Sequence, residues 1–151
     1  MNKVEYADAL QKIRRILSNR DDSDALQRVV DFLQSEFRHY SWVGIYLVQN
    51  DVLVLGPWRG KEATEHTRIP LGTGICGSAA KSGRTEIVDD VSKDDRYLSC
   101  FLSTRSEIVV PIKKGTSVIG EIDIDADVPS AFTKRDAVFL EKVADMLSKH
   151  I

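Results

Sequence analysis

Apolar residues at Val4, Ala7, Leu10, Ile13 and Leu17 recur at the spacing of one helix face, which predicts an amphipathic helix over 4–18. Asp21, Asp22, Ser23 and Asp24 supply capping side chains for a second helix, whose buried face is Leu26, Val29, Val30, Leu33 and Phe37. The pattern then turns from helical to extended. Residues 42–48 read as a strand, Gln49-Asn50-Asp51 as a turn, and 52–55 as the return strand of a hairpin that Gly56-Pro57 ends. A polar loop covers 58–67, and a short extended piece covers 67–71. The glycine-rich turn Gly72-Thr73-Gly74-Ile75-Cys76-Gly77 then enters a short helix at 78–81, ended by Gly83. Residues 85–88 are extended. Residues 89–105 form a long loop with few apolar residues, and loops of that length are usually functional or disordered. Residues 107–112 and 117–125 pair across Lys114-Gly115-Thr116, and Thr133 caps a last helix carrying Val138, Leu140, Val143 and Leu147.

Two hairpins favour an antiparallel sheet, and helices at both ends of the chain can cover one of its faces. The expected fold is therefore α+β: a central antiparallel sheet with N- and C-terminal helices on one face and long loops over the other. A pocket between sheet and loops is the natural ligand site. The chain has 151 residues and no repeat or linker, so one domain over 1–151 is expected, with the N-terminal helices in 1–38 and the sheet, pocket and last helix in 40–151.

Composition narrows the partners. A formal net charge of −2 provides no basic stripe for nucleic acid and no polybasic patch for anionic lipid. No apolar run approaches the ~20 residues of a membrane span, and residues 1–6 lack the apolar core of a signal peptide. A cytoplasmic location is expected. Two cysteines, Cys76 and Cys100, are too few for a disulfide scaffold. With His39, His66 and His150 scattered and no Cys-x-x-Cys, no metal site is expected either.

The candidate chemistry gathers late in the chain. Asp123 and Asp125 lie two apart on one strand, so both carboxylates share a face. Glu107 is on the strand expected to pair with it. Three acids gathered on one patch, with no Lys or Arg between them there, ask for an external cation or a raised pKa. The solvent-facing alternative leaves Ile122 and Ile124 to the core. Trp42 and Tyr46, four apart on a strand, also share a face, as core aromatics or as an aromatic wall for a ligand. Cys100 is in the long loop near Arg96 and Arg105. It reads as a buried structural thiol or as a reactive thiolate favoured by those cations. Cys76, in the glycine-rich turn, reads as a packing residue or as a thiol beside a helix N-terminus.

Several stretches together resemble the GAF-domain free methionine-(R)-sulfoxide reductases. They are Trp42-Val43-Gly44-Ile45-Tyr46, Leu53-Val54-Leu55-Gly56-Pro57-Trp58 and Arg68-Ile69-Pro70-Leu71-Gly72-Thr73-Gly74-Ile75-Cys76-Gly77. Cys100, Ser106 to Pro111, Gly120-Glu121-Ile122-Asp123-Ile124-Asp125 and Phe132-Thr133 follow in order. The resemblance covers residues 40–145. It implies a single GAF domain that reduces the R epimer of free methionine sulfoxide through a Cys100 sulfenic acid, with no cofactor and with a thioredoxin-like reductant. It implies Cys100 as nucleophile, and Glu107, Asp123 and Asp125 as the acids that hold the amino acid and assist its reduction. Trp42 and Tyr46 become the wall around the methyl sulfoxide, and Cys76 a second cysteine near the pocket. A homodimer through the N-terminal helices is compatible with a GAF protein. One position departs from the family: His66 stands where a third, resolving cysteine is usual. Cys76 or an external thiol would then have to reset Cys100. Two other readings stay open, a non-catalytic GAF sensor for a small amine or amino acid, and a thiol-based oxidant sensor.

Overall fold

A computed structural model describes residues 3–98 and 101–151, with Lys3 and Val4 described by backbone alone. Cys100, the expected nucleophile, lies outside the described residues. The elements are α1 (Lys3–Leu17), α2 (Ala25–Glu36), β1 (Trp42–Gln49), β2 (Val52–Arg59), β3 (Arg68–Pro70), α3 (Gly74–Ser82), β4 (Glu86–Val88), β5 (Ser106–Lys114), β6 (Ser117–Ala126) and α4 (Lys134–His150). The six strands form one sheet in the order β3-β2-β1-β6-β5-β4, with every neighbouring pair antiparallel.

Period-two alternation divides the sheet's side chains between two cores. Val43, Ile45, Ile108, Val110, Ile112, Ile122 and Ile124 face α1, α2 and α4, and pack with Ile13, Val29, Leu33, Phe37, Leu140 and Leu147. Trp42, Tyr46, Leu53 and Val109 face the opposite way, with Ile69, Cys76, Ala79, Val88 and Phe101. The sheet is thus buried on both faces, and α3 is the helix on the second face, where the sequence reading expects long loops.

Two boundaries differ from the sequence reading. β2 continues past Gly56-Pro57 to Arg59, because the register slips between Gly44 and Tyr46 of β1, so that Gly44 opposes Trp58 while Tyr46 opposes Leu55. The bulge takes up one extra residue and leaves Pro57 where no ladder N–H is needed. α3 starts at Gly74 rather than 78, so Cys76 sits in its first turn. Gly77 permits this: a Cβ there would stand 2.6 Å from the Pro70 carbonyl oxygen, so only glycine lets the helix rest on the preceding turn. Asp24 precedes α2 without a side-chain cap. Asp22 instead accepts from the Asp24 N–H at 2.9 Å and from Arg28 at 2.8 Å.

The helical layer is tied at one buried carboxylate. Thr133 caps α4 in a reciprocal box with Asp136. Asp136 Oδ1 also accepts from Tyr40 at 2.7 Å and Tyr6 at 3.1 Å, and lies 3.1 Å from His39 Nε2. One side chain thus joins α1, α4 and the residues leading into β1. Burial by itself would push the Asp136 carboxyl up. Hydrogen bonds from His39, the Thr133 N–H and Tyr40 outweigh burial and hold it below the usual carboxylate value. Asp136→Ala should cost about 3 kcal/mol at neutral pH, read by urea unfolding, because several donors lose a charged acceptor at once. The depressed folded pKa places this stabilisation above the unfolded carboxyl value of about 3.9, and it is lost as pH falls through the folded value. The wild-type and Asp136→Ala curves should therefore converge in acid, and parallel curves would contradict the assignment.

Candidate active site

The antiparallel register assembles the site. Across β1, β6 and β5, Trp42 opposes Asp125 and Asp125 opposes Glu107. One row on, Gly44 opposes Asp123 and Asp123 opposes Val109. In the third row Tyr46 opposes Glu121, which opposes Pro111. All these positions share the face that carries α3. The sequence reading placed Glu107, Asp123 and Asp125 together, and the structure brings them together, buried at 5%, 3% and 3% exposure. The solvent-facing alternative for the aspartates fails. Ile122 and Ile124 do face the helical core, but the opposite face is dry as well.

Glu121 was passed over, and it is a fourth carboxyl on this face with 0% exposure. The signal was available, since residues 121, 123 and 125 are successive same-face positions of one strand. Both Glu121 oxygens are buried without a hydrogen-bond partner, as are Asp123 Oδ1 and Asp125 Oδ1. Among the described residues no salt bridge joins Glu121, Asp123 or Asp125 to a cation. Burial drives all three carboxyls above their ordinary values. The Asp123 charge raises Glu121 and Asp125 further, whereas hydrogen bonds with Glu107 pull Asp123 and Asp125 partly back.

Cys76 joins the acids from α3. Its Sγ lies 3.9 Å from Glu107 Oε2, and one ligand-type atom each from Cys76, Glu107 and Asp123 falls within 4.8 Å of the others. Burial, then the neighbouring Asp123, Glu121 and Glu107, pushes the Cys76 thiol well above its usual value. In the empty site it is a protonated thiol, not a thiolate. Cys76, Glu107 and Asp123 line a small cavity with Tyr46, Ile75 and Leu98, of about 10 Å³, the size of a single water.

Aromatic side chains close the other end. Trp42 stacks on Trp58 at 6.2 Å between ring centroids and meets Phe101 at 5.9 Å. Its indole lies over Gly44, where a Cβ would come within 2.4 Å of the ring. The Tyr46 hydroxyl donates to the backbone carbonyl of His66 at 2.7 Å. The loop bearing His66 is thereby fixed at the edge of the site. The cations expected to favour a thiolate at Cys100 are engaged elsewhere. Arg96 pairs with Glu86 at 3.0 Å and Asp94 at 2.7 Å, and Arg105 donates to the carbonyls of Leu102 and Thr104.

Comparison with known proteins agrees with this layout. The GAF-domain family model matches residues 21–151. The free methionine-R-sulfoxide reductase of Escherichia coli K12 is 34% identical over 99% of this chain and 90% of its own length. The chain belongs to the GAF-domain free methionine-R-sulfoxide reductase family. The crystal structure of the Neisseria meningitidis member in complex with its substrate superposes with a TM-score of 0.91. That protein is 34% identical, with 99% of this chain and 91% of that one covered. A type II free methionine-R-sulfoxide reductase from Thermoplasma acidophilum superposes with a TM-score of 0.81 at 34% identity, covering 94% of each chain. The curled six-stranded antiparallel sheet with its four helices is the GAF fold of this reductase family.

The buried acids make a pH prediction. A carboxyl whose folded pKa is raised costs no stability while both states are protonated. Stability is then lost as pH rises from the unfolded value of about 4.3 through the folded value. The ligand-free protein should lose thermal stability as pH rises above the unfolded carboxyl values and through the raised folded ones, and Glu121→Gln should flatten that slope. Thermal midpoints across the range test this, and identical slopes would show that Glu121 does not titrate there.

Proposed function

We propose that this protein reduces free methionine-(R)-sulfoxide to methionine. The observation that carries the reading is the buried face on which Glu107, Asp123 and Asp125 meet beside a thiol and below Trp42 and Tyr46. An ammonium group is the cation that three carboxyls in a dry site accept by charge-assisted hydrogen bonds, and Trp42 and Tyr46 offer apolar surface to a methyl sulfoxide. Substrate complexes of family members at this fold support the same class of ligand. The present cavity is water-sized, so an amino acid enters only if its wall moves.

Sulfoxide reduction joins a thiolate to the sulfoxide sulfur and needs a proton on the oxygen that leaves. Cys100 is the attacking thiol in this reading. Cys76 is the poorer attacker, because burial and three acids keep it protonated. The Cys100 sulfur bonds to the substrate sulfur as the protonated oxygen leaves; that oxygen then bonds to the Cys100 sulfur, the Cys100–substrate S–S bond breaks, and methionine departs, leaving Cys100 as sulfenic acid. Methionine sulfur gains the two electrons that Cys100 loses. The proton comes from Glu107 or a neighbouring aspartic acid; burial raises the Asp123 and Asp125 carboxyls, which favours their protonated form. A second thiol, Cys76 or an external one, condenses with the sulfenic acid and releases water. A thioredoxin-like dithiol then reduces the disulfide. The protein works in a reducing cytoplasm, and pairing through the N-terminal helices gives a homodimer.

His66, in the place of the usual third cysteine, extends this reading. An imidazolium at the mouth would favour the Cys100 thiolate. His66→Ala should then raise the Cys100 thiol pKa and slow turnover, and an unchanged pH–rate profile would remove His66 from the mechanism. The main test is methionine release from free L-methionine-(R)-sulfoxide under dithiothreitol. Turnover is expected in wild type and Cys76→Ser and absent in Cys100→Ser. Asp123→Asn should lower kcat/KM by roughly 100-fold, the loss of one charge-assisted contact to a buried ammonium. No turnover in wild type would leave a GAF ligand-binding module, testable by amino-acid binding.

A further inference from the structure

The acidic face carries more acidic groups than one ammonium can satisfy. Cys76 Sγ and carboxylate oxygens of Glu107 and Asp123 lie within 4.8 Å of one another, around a cavity of about 10 Å³. That space holds one ion and excludes an amino acid. A separate observation points to a missing cation. Asp123, buried in the cavity wall, keeps Oδ1 without a hydrogen-bond partner. A divalent cation can displace the protons of such a set, whereas a water cannot.

We propose that this pocket, when empty of substrate, binds a thiophilic divalent cation of the Zn²⁺ type through Cys76, Glu107 and Asp123. Thiolate with two carboxylates is a donor set that Zn²⁺ and Cd²⁺ accept, while Mg²⁺ and Ca²⁺ prefer oxygen alone. Binding replaces the Cys76 S–H bond with a sulfur–metal bond and releases the thiol proton, so no oxidant or reductant is involved. The ligands come from α3, β5 and β6, which explains why no metal spacing appears along the sequence. Because Glu107 and Asp123 are also the acids assigned to the substrate ammonium, metal and methionine sulfoxide exclude each other. That last consequence rests on the reductase reading; the metal site itself does not.

The experiment is titration of the reduced full-length protein with Cd²⁺, reading the ultraviolet charge-transfer band of a thiolate–cadmium bond. One equivalent should saturate the band in wild type and in Cys100→Ser, and Cys76→Ser should lose it. Asp123→Asn should weaken binding by at least about tenfold. Since the chain has two cysteines, retention of the band in Cys100→Ser assigns it to Cys76 even if Cys76→Ser fails to fold. Absence of a band in wild type, or its loss in Cys100→Ser, overturns the proposal. Methionine-(R)-sulfoxide should displace the metal, and Zn²⁺ should inhibit methionine release competitively. A band in a protein that releases no methionine would sink the reductase reading and leave the metal site standing. Turnover without a band would do the reverse.

Discussion

The structure depends on burying acids on a sheet face. Pairing β6 with β5 and β1 places Asp125 opposite Glu107 and sets Glu121, Asp123 and Asp125 in one column beneath α3. An isolated charge in such surroundings costs several kcal/mol. These acids are tolerated because protons are shared among them, because Glu107 hydrogen-bonds to both aspartates, and because the second core seals the site from water. A face built this way binds cations poorly while it holds protons and strongly once it releases them. Binding there and proton release are therefore coupled.

The opposite face supplies the rigidity that makes this tolerable. α1, α2 and α4 cover it with a continuous apolar core, and the Asp136 network fixes α1 against α4. The sheet is thereby held in one register. A slip of one residue along β6 would send the carboxyls into that helical core and Ile122 and Ile124 into the pocket. The cost of such a slip is paid in buried charge, so the same acids that burden the fold also specify it.

The glycines and aromatics are subordinate to this arrangement. Gly77 lets α3 come down onto the turn at Pro70, and the descent carries Cys76 to the acids. Gly44 leaves room for the Trp42 indole to lie flat across β1 and reach Trp58 and Phe101. The bulge that carries β2 past Pro57 puts Trp58 in position for that stack.

Much of this was legible in the chain. Helical periodicity located α1, α2 and α4, and alternation located both hairpins, because each pattern reflects a single local geometry that a side chain's polarity reports directly. The same alternation put Asp123 and Asp125 on one face, and the run of family motifs pointed to the reductase family. Other features were decided only in three dimensions. Whether the aspartate face was wet or dry depended on α3, Leu98 and Phe101 packing over it, which no local pattern encodes. Glu121 looked like an ordinary strand residue until both sides of the sheet proved buried. Arg96 seemed available to a nearby thiol until Glu86 and Asp94 were found to hold it. Cys76 appeared to sit at a turn beside a helix N-terminus, a setting that lowers a thiol pKa. Its tertiary neighbours are carboxyls from two distant strands, which raise it. Sequence reports what each segment prefers to be. The charge state of a buried group is set by which segments meet around it, because in a dry interior that neighbourhood replaces water as the solvent.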